Sequence, residues 1–175
     1  KRRMGRRYRR FGLNYIKLSG DSMIKYNTTI QSPSIENSFY DLTVRGELNH
    51  NLTSQKNIVK IESKMLEKEQ AECPVRHIFG AGVYIREVSI PAGVFSIGHY
   101  QKTTHMNEMI RGKVIMLKDD GTTEILEAPQ TFVSKPGRKI GLILEDMVWH
   151  NIYPTNETDI ETLEETYLDK RDNWK

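Results

Sequence analysis

The spacing of apolar residues changes twice along this chain, and the changes divide it into elements. Up to about residue 53 no period is sustained: basic and aromatic residues give way to a stretch rich in Ser, Asn and Thr from Asp21 to Ser38. Ile58, Ile61, Met65 and Leu66 then recur at helical spacing among Lys and Glu, which predicts a helix over 54–70, with Pro74 closing the segment. From Val75 the period shortens. Gly82–Ile90 is β-branched and apolar, Pro91-Ala92-Gly93 is turn chemistry, and Val94–Gln101 alternates, with Ile97, His99 and Gln101 expected on one face. Lys102-Thr103-Thr104 reads as a bend, followed by a strand from Met106 to Leu117 broken at Arg111-Gly112. After the turn at Asp119-Asp120-Gly121, short strands are predicted at Thr122–Leu126, Gln130–Ser134, Lys139–Leu144 and Met147–Ile152. Helical spacing returns with Ile160, Leu163 and Tyr167, with Thr158 and Glu161 placed as a capping box. Trp174 beyond it reads as an anchor for the tail.

This pattern gives four segments: an extended basic and polar arm over 1–53, an amphipathic helix over 54–72, a β-barrel over 73–156, and a helix and tail over 157–175. Evenly spaced short strands with turn signals are the signature of a sandwich or barrel, so the fold class is mainly β. The Ile90–Leu117 stretch is its organising centre.

Charge sharpens one part of this picture. Lys1, Arg2, Arg3, Arg6, Arg7, Arg9 and Arg10 crowd the first ten residues without an acid, whereas the whole chain is only +3. A basic arm therefore precedes a mildly acidic body. Clustered guanidinium groups suit phosphate or an acidic neighbouring subunit, so Arg2, Arg3, Arg6, Arg7, Arg9 and Arg10 are the candidate contacts to a partner protein or nucleic acid. No apolar run approaches the roughly 20 residues of a membrane span, and no apolar core follows the basic start, so neither membrane nor secretory leader is expected. The single cysteine, Cys73, has no internal disulfide partner and no adjacent base, and is given no nucleophilic role.

Two sequence patterns resemble those of the cupins, double-stranded β-helix proteins. Their first motif, His-x-His-x3–4-Glu-x6-Gly, is matched in spacing by His99-x-Gln101-x3-His105-x6-Gly112. Their second, Pro-x-Gly-x-x-His, has its turn reproduced by Pro136-Gly137, but Ile140 occupies the histidine position. A closer resemblance is to small cupin-like proteins encoded by tailed bacteriophages. It runs through Cys73-Pro74-Val75, Ile90-Pro91-x-Gly93, Lys102-Thr103-x-His105, Thr131-Phe132-Val133-Ser134-x-Pro136-Gly137, Leu144-Glu145-Asp146, Trp149 and Pro154-Thr155. In that family a histidine tends to stand where this chain has Gln101 and Tyr153, and a glutamate where it has Thr104; His105 keeps its place. The resemblance implies a cupin-like barrel with flanking helices and an extended N-terminal arm.

Two readings of the barrel follow. In one, His99, His105 and His150, with Gln101, hold one divalent transition metal that leaves positions open for substrate, as in a small-molecule oxygenase or isomerase. Whether His150 faces inward is open, since Val148-x-His150-x-Ile152 and Trp149-x-Asn151-x-Tyr153 are equally consistent with a strand. In the other, the barrel holds no metal and the same residues form a satisfied polar patch. Glu108 is a further candidate acid or ligand, while His50 and His77 stand alone. The second reading, with the phage resemblance and the large extensions, favours a virion structural or assembly protein over an enzyme. It would be a homo-oligomer binding other virion proteins through its arm and helices, located in the virion or, during assembly, in the host cytoplasm.

Overall fold

A single strand of fifteen residues forms the spine of the molecule. The computed structural model describes residues 14–17, 55–67, 69–118 and 122–170. Its strands are β1 (Asn14–Lys17), β2 (Val75–Gly80), β3 (Val83–Ile90), β4 (Val94–Ile97), β5 (Tyr100–Gln101), β6 (His105–Leu117), β7 (Thr123–Glu127), β8 (Gln130–Ser134), β9 (Ile140–Pro154) and β10 (Leu168–Asp169). Two helices, α1 (Gln55–Leu66) and α2 (Ile160–Tyr167), flank them. The described residues contain no helix long and apolar enough to cross a membrane. The six arginines of the arm, His50 and Trp174 lie outside the described residues.

All strand pairs among the described residues are antiparallel, and β6 and β9 pair along nearly their whole length. The first half of β6 lies between β8 and the second half of β9, which continues to β3 and β2. The second half of β6 lies between β7 and the first half of β9, which continues to β4 and β1. Two five-strand half-sheets thus share β6 and β9, and residues of both line one interior cavity. This is the double-stranded β-helix that the resemblance implied.

The half-sheets meet where the register of β6 slips, between Met109 and Val114. His105, Asn107 and Met109 are buried before the slip, and Val114 lines the cavity after it, so the inward positions change from odd to even numbers. Gly112 sits at the slip with φ +101°, and a Cβ there would lie 2.7 Å from Asp146 O and from Met147 Cα. Only glycine permits this crossing.

α1 covers the outer face of one half-sheet. Ile58, Ile61 and Met65 pack on Phe95, Ile97, Ile115, Ile140 and Leu142, as their helical spacing requires. From the same helix, Glu62 pairs with Arg138 in a nearly fully buried ion pair. The barrel interior holds Val88, Ile90, Val94, Met109, Val114, Ile143, Met147 and Trp149. α2 seats Leu163 against Tyr84 and Tyr153, with Tyr167 stacked on Tyr153 at 4.3 Å between ring centroids.

Several elements differ from their sequence reading. α1 ends at Leu66, well before Pro74, and Leu66 is exposed. The α2 cap is Asp159 rather than Thr158: its carboxylate accepts from Thr162 N at 2.9 Å, and Glu157 accepts from the amides of Thr158 and Asp159. The two strands expected at Lys139–Leu144 and Met147–Ile152 are one, because Glu145-Asp146 continues the strand with exposed side chains. Asp146 Oδ1 there accepts from Ala92 N at 2.9 Å. Finally, Ile97 and His99 do not share a face. The strand lapses at Gly98-His99, so Ile97 joins the α1 cluster while Gly98, His99 and Gln101 line the cavity.

Candidate binding cavity

Strand alternation decides what enters the barrel. On β3 the inward residues are Tyr84, Arg86, Val88 and Ile90; on β9 they are Gly141, Ile143, Met147, Trp149, Asn151 and Tyr153. Between the half-sheets lies a cavity of about 70 Å³. Val88, Ile90, Val114, Met116, Ile143 and Met147 make up the apolar part of its lining. Arg86, His99, Gln101, Lys139, Trp149 and Asn151 supply the polar groups. Among the described residues, no aspartate or glutamate lines the cavity.

A hydrogen-bonded network stiffens the polar part of the lining. Asn107 Oδ1 accepts from Trp149 Nε1 at 3.1 Å and from Asn151 Nδ2 at 2.9 Å, while Asn107 Nδ2 donates to Ser134 Oγ at 2.9 Å. Tyr153 donates its hydroxyl proton to Gln101 Oε1. His105 Nδ1 lies 2.9 Å from Thr103 O, a carbonyl that can only accept, so Nδ1 carries the proton and Nε2 the lone pair. That lone pair faces Lys139 Nζ at 3.4 Å and Asn151 Nδ2 at 3.5 Å. The Lys139 ammonium also stands 5.7 Å from the centre of the Trp149 ring.

Burial sets the protonation of these groups. His99, 3% exposed, is pushed down to about 2 by loss of solvent, with the Arg86 charge adding to the effect. His105 is lowered for the same first reason, so both rings are neutral near pH 7. Lys139 is lowered by burial to about 8, so roughly a tenth of it is free amine at pH 7. Arg86 is 3% exposed, and its Nε and Nη2 have no hydrogen-bond partner among the described residues. The buried carboxylates outside the cavity are engaged elsewhere, Glu62 with Arg138 and Glu164 with Lys170.

The residues singled out in the sequence separate here. His99 and Gln101 line the cavity, and His105 reaches it through Lys139 and Asn151. His150 does not join them. It occupies an even position of β9 and faces the opposite side of the sheet, where Nε2 lies 2.8 Å from Glu87 and Nδ1 lies 3.1 Å from Glu108. Glu108, the candidate acid, is on that outer face as well. His77 is not isolated: Nδ1 lies 2.7 Å from the Tyr84 hydroxyl. Cys73 is pushed up to about 12 by burial and then by Glu72, which makes it unreactive as a nucleophile.

The donor set therefore does not fit a divalent metal. Among the described residues, no group of three or more His, Cys, Asp or Glu is placed to hold one. Among the described residues, two cationic side chains and no carboxylate line the cavity, and the His105 lone pair already meets Lys139. Sequence reasoning passed over Arg86 and Lys139. The signal for Arg86 was present as a charge at an inward position of an otherwise apolar alternation, Tyr84-x-Arg86-x-Val88-x-Ile90.

No family model and no curated protein matches the chain. Solved structures with a similar backbone include an ectoine synthase from P. lautus, 15% identical with a TM-score of 0.44, covering 61% of this chain and 85% of that one. An acetylacetone dioxygenase from Acinetobacter johnsonii is 11% identical with a TM-score of 0.39, covering 51% of this chain. The match spans 65% of the dioxygenase, just under two thirds of its length. An rmlc-like cupin family protein from Methanocaldococcus jannaschii is 12% identical with a TM-score of 0.40, covering 48% and 81%. These likenesses concern the course of the backbone and carry no activity across.

Proposed function

We propose that the protein binds a small organic carboxylate inside its barrel. The observation that carries this reading is Arg86: an almost fully buried guanidinium whose Nε and Nη2 have no partner among the described residues, in a cavity that no acid among those residues lines. An uncompensated buried charge costs several kcal/mol, and a carboxylate is the group whose planar oxygens match a guanidinium fork. Lys139 adds a second positive charge, and the apolar lining of Val88, Ile90, Val114, Met116, Ile143 and Met147 receives a short hydrocarbon tail. At about 70 Å³ the cavity holds roughly five water-sized positions, which limits the ligand to a few heavy atoms. The assembly reading draws instead on the arm and the helices; of residues 1–53 only Asn14–Lys17 are among the described residues, and α1 packs its apolar face on the chain's own barrel.

Thermal unfolding with propanoate and butanoate, beside uncharged propanamide, tests this. The carboxylates are expected to raise Tm in proportion to the logarithm of their concentration, and the amide to leave it unchanged. Arg86→Gln is expected to weaken propanoate binding about tenfold or more, the loss of one charge-assisted pair. Equal shifts with amide and acid, or none with either, would sink the reading.

A further inference from the structure

We propose that Lys139 is a nucleophilic amine that forms an imine with a small 2-oxo acid bound in this cavity. The inference rests on the carboxylate reading above: Arg86 takes the acid group, and the adjoining carbonyl carbon meets Lys139. Three observations support it. Lys139 lines the cavity from the residue preceding β9, where Lys139 O accepts from Gly98 N at 2.9 Å and holds the backbone in place. Its Nζ faces the His105 Nε2 lone pair at 3.4 Å, with the ring fixed by the Nδ1–H bond to Thr103 O. It is buried in a cavity lined in part by Val114, Ile143 and Met147, and the loss of water there disfavours the ammonium against the attraction of the Trp149 ring.

The groups present suffice for the chemistry. As the free amine, Nζ uses its lone pair to form a C–N bond to the carbonyl carbon. The C=O π pair moves to oxygen, which takes one of the two protons on the attacking nitrogen and becomes the hydroxyl of a carbinolamine. The nitrogen lone pair then forms C=N as the remaining proton on nitrogen passes by way of His105 Nε2 to the hydroxyl, which leaves as water. The balance is amine plus ketone to imine plus one water, without oxidant or reductant. At pH 7.5 roughly a quarter of a group titrating at about 8 is free amine, against about a thousandth for an ordinary lysine. Lys139 is therefore expected to outcompete the solvated lysines of the chain.

The test uses the full chain with pyruvate and cyanoborohydride at pH 7.5, read by intact mass and peptide mapping. The expected result is one reduced adduct on the peptide carrying Lys139, absent from Lys139→Arg. On the unaltered protein, propanoate at ten times its own Kd should slow this adduct about tenfold by occupying the cavity. Adducts spread evenly over lysines, or none at Lys139, while propanoate still raises Tm, would overturn the amine and leave the carboxylate site standing. No adduct and no Tm shift would remove both. An adduct at Lys139 that propanoate neither slows nor accompanies with a Tm shift would remove the carboxylate anchor, and the 2-oxo acid with it.

Discussion

His99 shows how a single side chain ties stability to pH. In the unfolded chain an imidazole takes up a proton near pH 6.5, whereas the folded protein holds His99 neutral down to about 2. Between those values the unfolded state binds more protons, so stability falls as the pH falls, by up to about 1.4 kcal/mol per unit for each such ring. His77 and His105 are lowered too and act in the same direction. Glu87 and Asp159, whose carboxyls are held below their ordinary range, add their own loss only at lower pH. Urea unfolding between pH 5 and 6.5 is thus expected to show a falling midpoint that flattens in His99→Gln; an unchanged slope in the variant would count against it. Gly112 offers a steric counterpart. Gly112→Ala combines positive φ with backbone atoms 2.7 Å from the new Cβ and should cost about 3 kcal/mol or more, whereas Gly93→Ala, at φ +79° with open space, should cost about 1. Urea midpoints of the two variants compare these directly, and equal losses would show that the crossing is not tight. At this scale the candidate site was only partly legible. The His-x-Gln pattern drew attention to His99 and Gln101, but polar residues were weighed as metal ligands, so the two cations escaped notice. The phase of His150 could not be read because both faces of β9 carry apolar residues, one against the interior and one along the outer sheet.

Elements were legible where one face is buried and the other wet. α1 and α2 follow from their apolar spacing, and β3 and β8 from their alternation or length. β2 was not singled out, because Val75, Ile78 and Phe79 do not alternate. The extent of β9 was hidden by Glu145-Asp146, which reads as a turn in sequence but sits exposed on a continuous strand. What no periodicity reveals is the attachment of α1 to the barrel through charge. Glu62 and Arg138 are 76 positions apart, and their side chains are 2% and 4% exposed. Removing one partner of such a pair takes from the other buried charge the ion pair that compensates it, so Arg138→Met and Glu62→Leu are each expected to cost about 3–5 kcal/mol. The double variant should recover most of the loss, since Ile58, Ile61 and Met65 still anchor the helix. A double-mutant cycle by chemical denaturation checks this; additive losses would mean that the pair contributes no coupling.

For the whole molecule the governing fact is that β6 and β9 each belong to both half-sheets. The fold class was legible from evenly spaced short strands, yet that reading missed this sharing, since two long strands had been cut at Arg111-Gly112 and at Glu145-Asp146. The difference has a thermodynamic consequence. If each half-sheet had strands of its own, the half covered by α1 could persist while the other opened. With two continuous strands crossing both, opening either half strips partners from β6 and β9 and exposes the interior cluster of Val88, Val114, Ile143 and Trp149, which draws on both halves. The barrel is therefore expected to unfold as one cooperative unit. The chain has two tryptophans, so in Trp174→Phe the fluorescence reports Trp149 alone, within the half formed by β8, β6, β9, β3 and β2. Amide exchange at Phe95, Ile115 and Leu142 reports the half under α1. The fluorescence transition and the exchange of those amides should give the same unfolding free energy within error. A lower value for either half, with the other still folded, would show that the shared strands do not couple them.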